Sequence, residues 1–120
     1  MPSHPILDSK GNIISLPTKA KVGSLMRNNL WVKRKYEITD AFVVGSVAKG
    51  TATPDSDIDI AVIIPSVRGK SSLQVTEQYH SRFYENRQMP HFKGRRVDLQ
   101  FFYESDLPKI ADYAKLPLEN

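Results

Sequence analysis

Short apolar runs and helix-spaced stripes alternate along the chain, separated by clusters of turn residues. Ile6-Leu7 and Ile13-Ile14 flank Asp8-Ser9-Lys10-Gly11-Asn12, a pattern that predicts a small hairpin. Pro17-Thr18 then opens a stripe of Val22, Leu25, Met26 and Leu30, which predicts a helix over about Thr18–Tyr36 with Thr18 as its N-cap. Ala41-Phe42-Val43-Val44 reads as a buried strand that Gly45-Ser46 ends. Val47 to Ser56 is a connection, and Ile58–Ile64 is a second strand closed by Pro65. Ser71 or Ser72 caps a helix through about Asn86, with Val75, Tyr79 and Phe83 at four-residue steps. Arg87–Gly94 reads as a loop. From Arg95 to Tyr103 the chain alternates, with Val97, Leu99 and Phe101 on one side and Asp98 and Gln100 on the other, as in a half-buried strand. Ser105-Asp106 starts a short last helix, and Pro117 marks a frayed end. After the hairpin the order is helix, strand, strand, helix, strand, helix, which predicts an α/β (α+β) domain on one small sheet.

Length and composition narrow this further. At 120 residues the chain has room for one core, with residues 1–17 as an amino-terminal hairpin or arm. Hydrophobic residues at 40% and charged residues at 25% suit a folded domain. The net charge of +4 permits a nucleotide or nucleic-acid partner without requiring one. With no cysteine there is no disulfide frame, thiolate zinc site or cysteine nucleophile. The aliphatic run Ile60–Ile64 falls far short of a membrane span, and the first residues lack the charged start and apolar stretch of a signal peptide. The expectation is therefore a cytoplasmic protein with no membrane partner. Lys21, Arg27, Arg34 and Lys35 lie off the apolar stripe of the first helix. They read as a solvated face, with an RNA surface the less favoured alternative. Trp31 reads as core or interface, and Tyr79 and Phe83 read as core rather than base-stacking groups. His4, His80 and His91 share no ligand spacing, so no histidine metal site is expected.

The stretch from Gly45 to Val62 carries the chemistry. Asp57 and Asp59 stand two apart at the mouth of a strand, so both carboxylates project from one face while Ile58, Ile60 and Val62 project from the other. Two such carboxylates repel unless positive charge lies between them, and oxygen ligands suit Mg²⁺. Asp98 lies on the polar side of the later alternating strand. If the two strands are neighbours, three carboxylates converge as in two-metal phosphoryl chemistry, with Asp98 also placed as general base. Gly45 lets the backbone approach a phosphate, Ser46 offers a hydroxyl, and Ser46–Lys49 can begin a short helix with its N–H groups towards the anion. Lys49 adds positive charge, as could Lys70, Lys93, Arg95 or Arg96. Arg95 and Arg96 point to opposite faces, one towards a triphosphate and the other to solvent.

The chain contains its own control. Gly23-Ser24 sits inside a helical stripe, and the positions matching the two aspartates there are Lys35 and Glu37. A phosphate loop of the Walker type is excluded because Thr51 follows Gly50 where a lysine is required, and no Gly-x-Gly-x-x-Gly occurs.

The sequence Gly45-Ser46, ten intervening residues, then Asp57-Ile58-Asp59 resembles the nucleotidyltransferase domain of the DNA polymerase β superfamily. It is most similar to the minimal nucleotidyltransferases of bacteria and archaea. The resemblance spans about residues 18 to 103, with residues 18–120 taken as the domain. It implies a small mixed sheet flanked by helices. It also implies Mg²⁺-dependent transfer of a nucleoside monophosphate, usually AMP from ATP, to an acceptor hydroxyl with release of pyrophosphate. In that reading Gly45, Ser46 and Lys49 bind the nucleotide, while Asp57, Asp59 and Asp98 hold metal, two ions being expected, and are catalytic. Lys49 stands where the family often has Arg. Larger members carry a further helical domain for the acceptor. Minimal members are often paired with a HEPN-type toxin that they inhibit or modify, or they self-associate. The competing reading is a non-catalytic module that neutralises a partner by contact alone.

Overall fold

The computed structural model describes residues 5–26, 38–84 and 89–120. The predicted basic positions Arg27, Arg34 and Lys35, together with Leu30 and Trp31, lie outside the described residues, as does the Phe83 side chain. The sheet has five strands in the order β3-β4-β2-β1-β5. These are β1 (Asp40–Val44), β2 (Ile58–Ile63), β3 (His91–Phe92), β4 (Arg95–Phe102) and β5 (Leu116–Pro117). β1 runs antiparallel to β2, and β2 runs parallel to β4, so the sheet is mixed.

The central position of β2 explains its composition. Ile58, Ile60 and Val62 are fully buried on one face, and Ala61 and Ile63 are buried on the other. Only at its start does β2 carry a polar residue, and that is Asp59. Helix α1 (Lys19–Met26) buries Val22 and Met26, and α3 (Ser72–Tyr84) buries Val75 and Tyr79 in the same core as Ile58, Ile60, Val97, Leu99 and Phe101. Each such side chain taken fully from water stabilises the fold by roughly 1.5–3 kcal/mol. Tyr79 meets Phe101 edge to face, with ring centroids 5.2 Å apart.

The helix starts are set by their caps. Thr18 Oγ1 accepts the Lys21 N–H at 3.1 Å. Ser71 and Gln74 form a reciprocal box: Ser71 Oγ accepts from Gln74 N–H at 3.2 Å, and Gln74 Oε1 accepts from Ser71 N–H at 2.8 Å. Within the described residues α1 runs from Lys19 to Met26 of the expected Thr18–Tyr36 span.

Two expectations are corrected. The segment read as a loop over 87–94 contains β3, which pairs with β4 across Lys93-Gly94. Both turn residues have positive φ, 48° and 81°, the twist that a two-residue hairpin requires. The frayed end at Pro117 is instead β5, an edge strand on β1, where a proline without an N–H is tolerated. The last helix is a 3₁₀ helix that begins at Glu104. Asp106 within it accepts from Ser72 Oγ at 2.5 Å and from Tyr103 N–H at 2.9 Å, joining the start of α3 to the end of β4.

The amino-terminal arm is a single bridge, Leu7 to Ile13, around a turn whose N–H groups from Lys10 and Asn12 donate to Asp8. Ile14 enters the common core.

Candidate active site

The bend after β1 and the mouth of β2 form the centre of the site. α2 (Gly45–Lys49) follows β1 without a break. Across the antiparallel pair Val44 lies opposite Asp59, and across the parallel pair Asp59 lies opposite Asp98. Two carboxylates therefore stand side by side on neighbouring strands and on one face. Gly45 closes the third side. Its φ is +67°, and a Cβ there would run into the Asp59 carboxylate, with Cγ at 3.1 Å and Cβ at 3.3 Å. The glycine thus answers to the aspartate as well as to the backbone conformation.

The electrostatics follow from this crowding. Burial, then the charges of Asp98 and Asp57, and last a hydrogen bond with Asp98, push the Asp59 carboxyl up to about 6. Asp59 thus lies within the field of both other acids. Asp57 is turned towards Arg96, whose Nε lies 2.8 Å from Asp57 Oδ1. Asp98 is turned towards His80, whose Nε2 lies 3.1 Å from Asp98 Oδ1. Among the described residues no three such side chains already stand together at metal-ligand spacing. The donors nonetheless fit a hard divalent cation: all are carboxylate oxygens, and burial with two further acids close by holds the Asp59 carboxyl above its usual range.

A cleft of about 320 Å³ opens beside this cluster, lined by Gly45, Lys49, Asp59, Gln100 and Tyr113 among others. Its volume falls at the lower end of small-molecule sites. Two of the three residues expected at a nucleotide, Gly45 and Lys49, line it. Ser46 is half-buried next to Gly45, its carbonyl accepting the Thr51 N–H at 2.9 Å.

The two arginines diverge as alternation requires. Arg96 lies on the polar face with Asp98. Arg95 turns the other way, but not to solvent. Its Nη1 donates to the carbonyls of Thr53, Pro54 and Ser56 at 3.0, 3.3 and 2.8 Å, and its Nη2 reaches Asp8 Oδ2 at 3.3 Å. Burial raises the Asp8 carboxyl, but bonds from Asn12, Lys10 and Arg95 outweigh it and hold it below the usual carboxylate range. Arg95 thereby ties the arm to the connection that delivers Asp57. Sequence spacing carried no signal for this contact, since 87 residues separate the pair. His80 likewise carried no signal beyond its lack of ligand spacing with the other histidines.

The profile of the nucleotidyltransferase domain family matches residues 26–116 of the chain. The chain belongs to this family. The mixed sheet flanked by helices fits a nucleotidyltransferase domain, in agreement with a minimal member of the polymerase β-like superfamily. No curated protein and no solved structure gives a significant match to this nucleotidyltransferase. No described helix is long and apolar enough to cross a membrane.

Proposed function

We propose that this nucleotidyltransferase moves a nucleoside monophosphate, AMP from ATP, to an acceptor hydroxyl. The observation that carries the reading is the in-register pairing of Asp59 with Asp98, with Asp57 two residues upstream and Gly45 against Asp59. The acceptor oxygen forms a bond to the α-phosphorus, the bond from that phosphorus to the bridging oxygen breaks, and pyrophosphate leaves. Asp98 takes the hydroxyl proton on its carboxylate. Gly45 and Ser46 admit the phosphates at the bend, and Lys49 adds positive charge at the rim of the cleft. Mg²⁺ held by Asp57, Asp59 and Asp98, two ions by our reading, would neutralise the acidic cluster and polarise the phosphate. We place the nucleotidyltransferase domain at residues 18–120, with residues 1–17 as an arm. The acceptor is placed on a partner protein in the cytoplasm, the arrangement that minimal members use with HEPN-type toxins.

The test is incubation with Mg²⁺, candidate partners and ATP labelled on either the α- or the γ-phosphate. Transfer of the α label alone, lost in Asp57→Ala, is the expected result. Transfer of the γ label, or α-label transfer that survives Asp57→Ala, overturns the assignment. Neutralisation of a partner without any label, retained by the triple-aspartate variant, leaves the contact-only reading in its place.

A further inference from the structure

α3 closes an edge of the sheet that β3 leaves open. β3 pairs only with Arg95 and Arg96, so the backbone of β4 beyond them needs other partners. Thr76 supplies one: its Oγ1 accepts the Phe101 N–H at 2.9 Å and lies 3.2 Å from the Phe101 carbonyl. His80, one turn further along α3, supplies another, with Nε2 3.0 Å from the Leu99 carbonyl. To this point the two side chains do the same work.

His80 alone goes further, because the same Nε2 also lies 3.1 Å from Asp98 Oδ1. Both neighbours of that nitrogen are acceptors, so Nε2 carries a hydrogen. The Leu99 carbonyl belongs to the sheet and cannot swing. It anchors the ring, and the ring holds one oxygen of Asp98. On its other side Asp98 has Asp59, its register partner on β2. The Asp98 carboxylate is therefore held from the helix on one side and faces Asp59 on the other.

We propose that His80 is a positioning residue for Asp98, fixing the orientation of its carboxylate beside Asp59 so that the acids can close on a divalent cation. The proposal rests on the role given to Asp98 under the function above. His80 itself contacts neither nucleotide nor acceptor.

The test measures binding of Mn²⁺ alone to the full chain by electron paramagnetic resonance or calorimetry, with folding checked by circular dichroism. His80→Leu is expected to bind Mn²⁺ roughly 10- to 100-fold more weakly, the usual loss when a partner that orients a ligand is removed. His80→Gln, whose amide N–H can reach the same oxygens, should recover part of the loss. Thr76→Val is the control for edge closure: it should lower the melting temperature yet bind Mn²⁺ like the parent. Unchanged affinity in His80→Leu, or an equal loss in Thr76→Val, overturns the proposal. Should His80→Leu fail to fold, His80→Gln is compared with the shorter His80→Asn, and equal affinities overturn it. A parent protein that binds no Mn²⁺ overturns the functional reading and this one together. A parent that binds it, with His80→Leu unaffected, removes this one alone.

Discussion

Replacing Asp59 with Asn should make the protein more stable at neutral pH while abolishing transfer. The Asp59 carboxyl stands at about 6 against an ordinary 3.8, first from burial and then from Asp98 and Asp57. A fully buried group displaced that far would account for about 3 kcal/mol. Asp59 is partly open to water, and screening reduces the figure to about 1–2 kcal/mol. The sign follows from proton binding. The folded protein holds this proton more tightly than the unfolded chain does, so the favourable contribution is complete below pH 3.8 and is lost as pH rises through 6. At pH 7.5 the parent therefore carries the full burden of an ionised Asp59 beside two other acids, and the amide carries none. Urea unfolding at pH 7.5 should show Asp59→Asn more stable by about 1–2 kcal/mol, or roughly 3–8 °C in melting temperature for a domain of this size. The difference should shrink towards pH 4. Adding Mg²⁺ should stabilise the parent and leave the variant unmoved, because a cation that binds only the folded state shifts the equilibrium by mass action. A variant that is no more stable at pH 7.5, or whose advantage is the same at pH 4, would refute the argument. The pH dependence is the decisive part, since a packing difference between Asp and Asn does not titrate.

Two further outcomes follow from the same geometry. Gly45→Ala puts a Cβ against the Asp59 carboxylate at a φ of +67°, and it should destabilise the fold by about 2 kcal/mol or more as well as suppress transfer; a neutral effect on urea unfolding would show that the bend relaxes freely. Arg95→Ala removes the donor shared by the Thr53, Pro54 and Ser56 carbonyls and by Asp8. It should lower the melting temperature and speed cleavage by a nonspecific protease between residues 51 and 57, and an unchanged cleavage pattern would count against the tie between arm and loop.

The parts of the site that lie close along the chain were legible before the fold was known. Val43-Val44 running into Gly45-Ser46 reads as strand into bend, and the structure has β1 pass directly into α2 there. Strand alternation predicts Asp57 and Asp59 on one face; in the structure β2 begins at Ile58, so Asp57 stands just before the strand and is held by Arg96 instead. Asp98 was legible as the polar member of an amphipathic strand, with Val97, Leu99 and Phe101 all buried on the other side. The β3 hairpin was within reach and missed: a two-residue turn ending in Gly94, between His91-Phe92 and Arg95, is a recognised hairpin signal. β5 was obscured by Pro117, which reads as a stop unless the residue lies on an open edge.

The roles of His80 and Arg95 carried no such signal. A histidine on a helix and an arginine at a strand start have many uses, and what selects among them is a partner far away in sequence. His80 meets Leu99 across 19 residues, and Arg95 meets the arm across 87.

The sequence by itself determined the local pieces: the glycine bend, the two acids at the mouth of one strand, the lone acid on another, and the helices between them. Alternation, capping and turn chemistry act over a few residues and need nothing beyond them. Only the tertiary structure decided that β2 and β4 lie parallel in the one register that sets Asp59 against Asp98. A slip of one residue would send Asp98 to the opposite face, into the core. That register depends on how α3 crosses from one strand to the other and how the apolar faces of both strands pack, and no short segment of chain contains either.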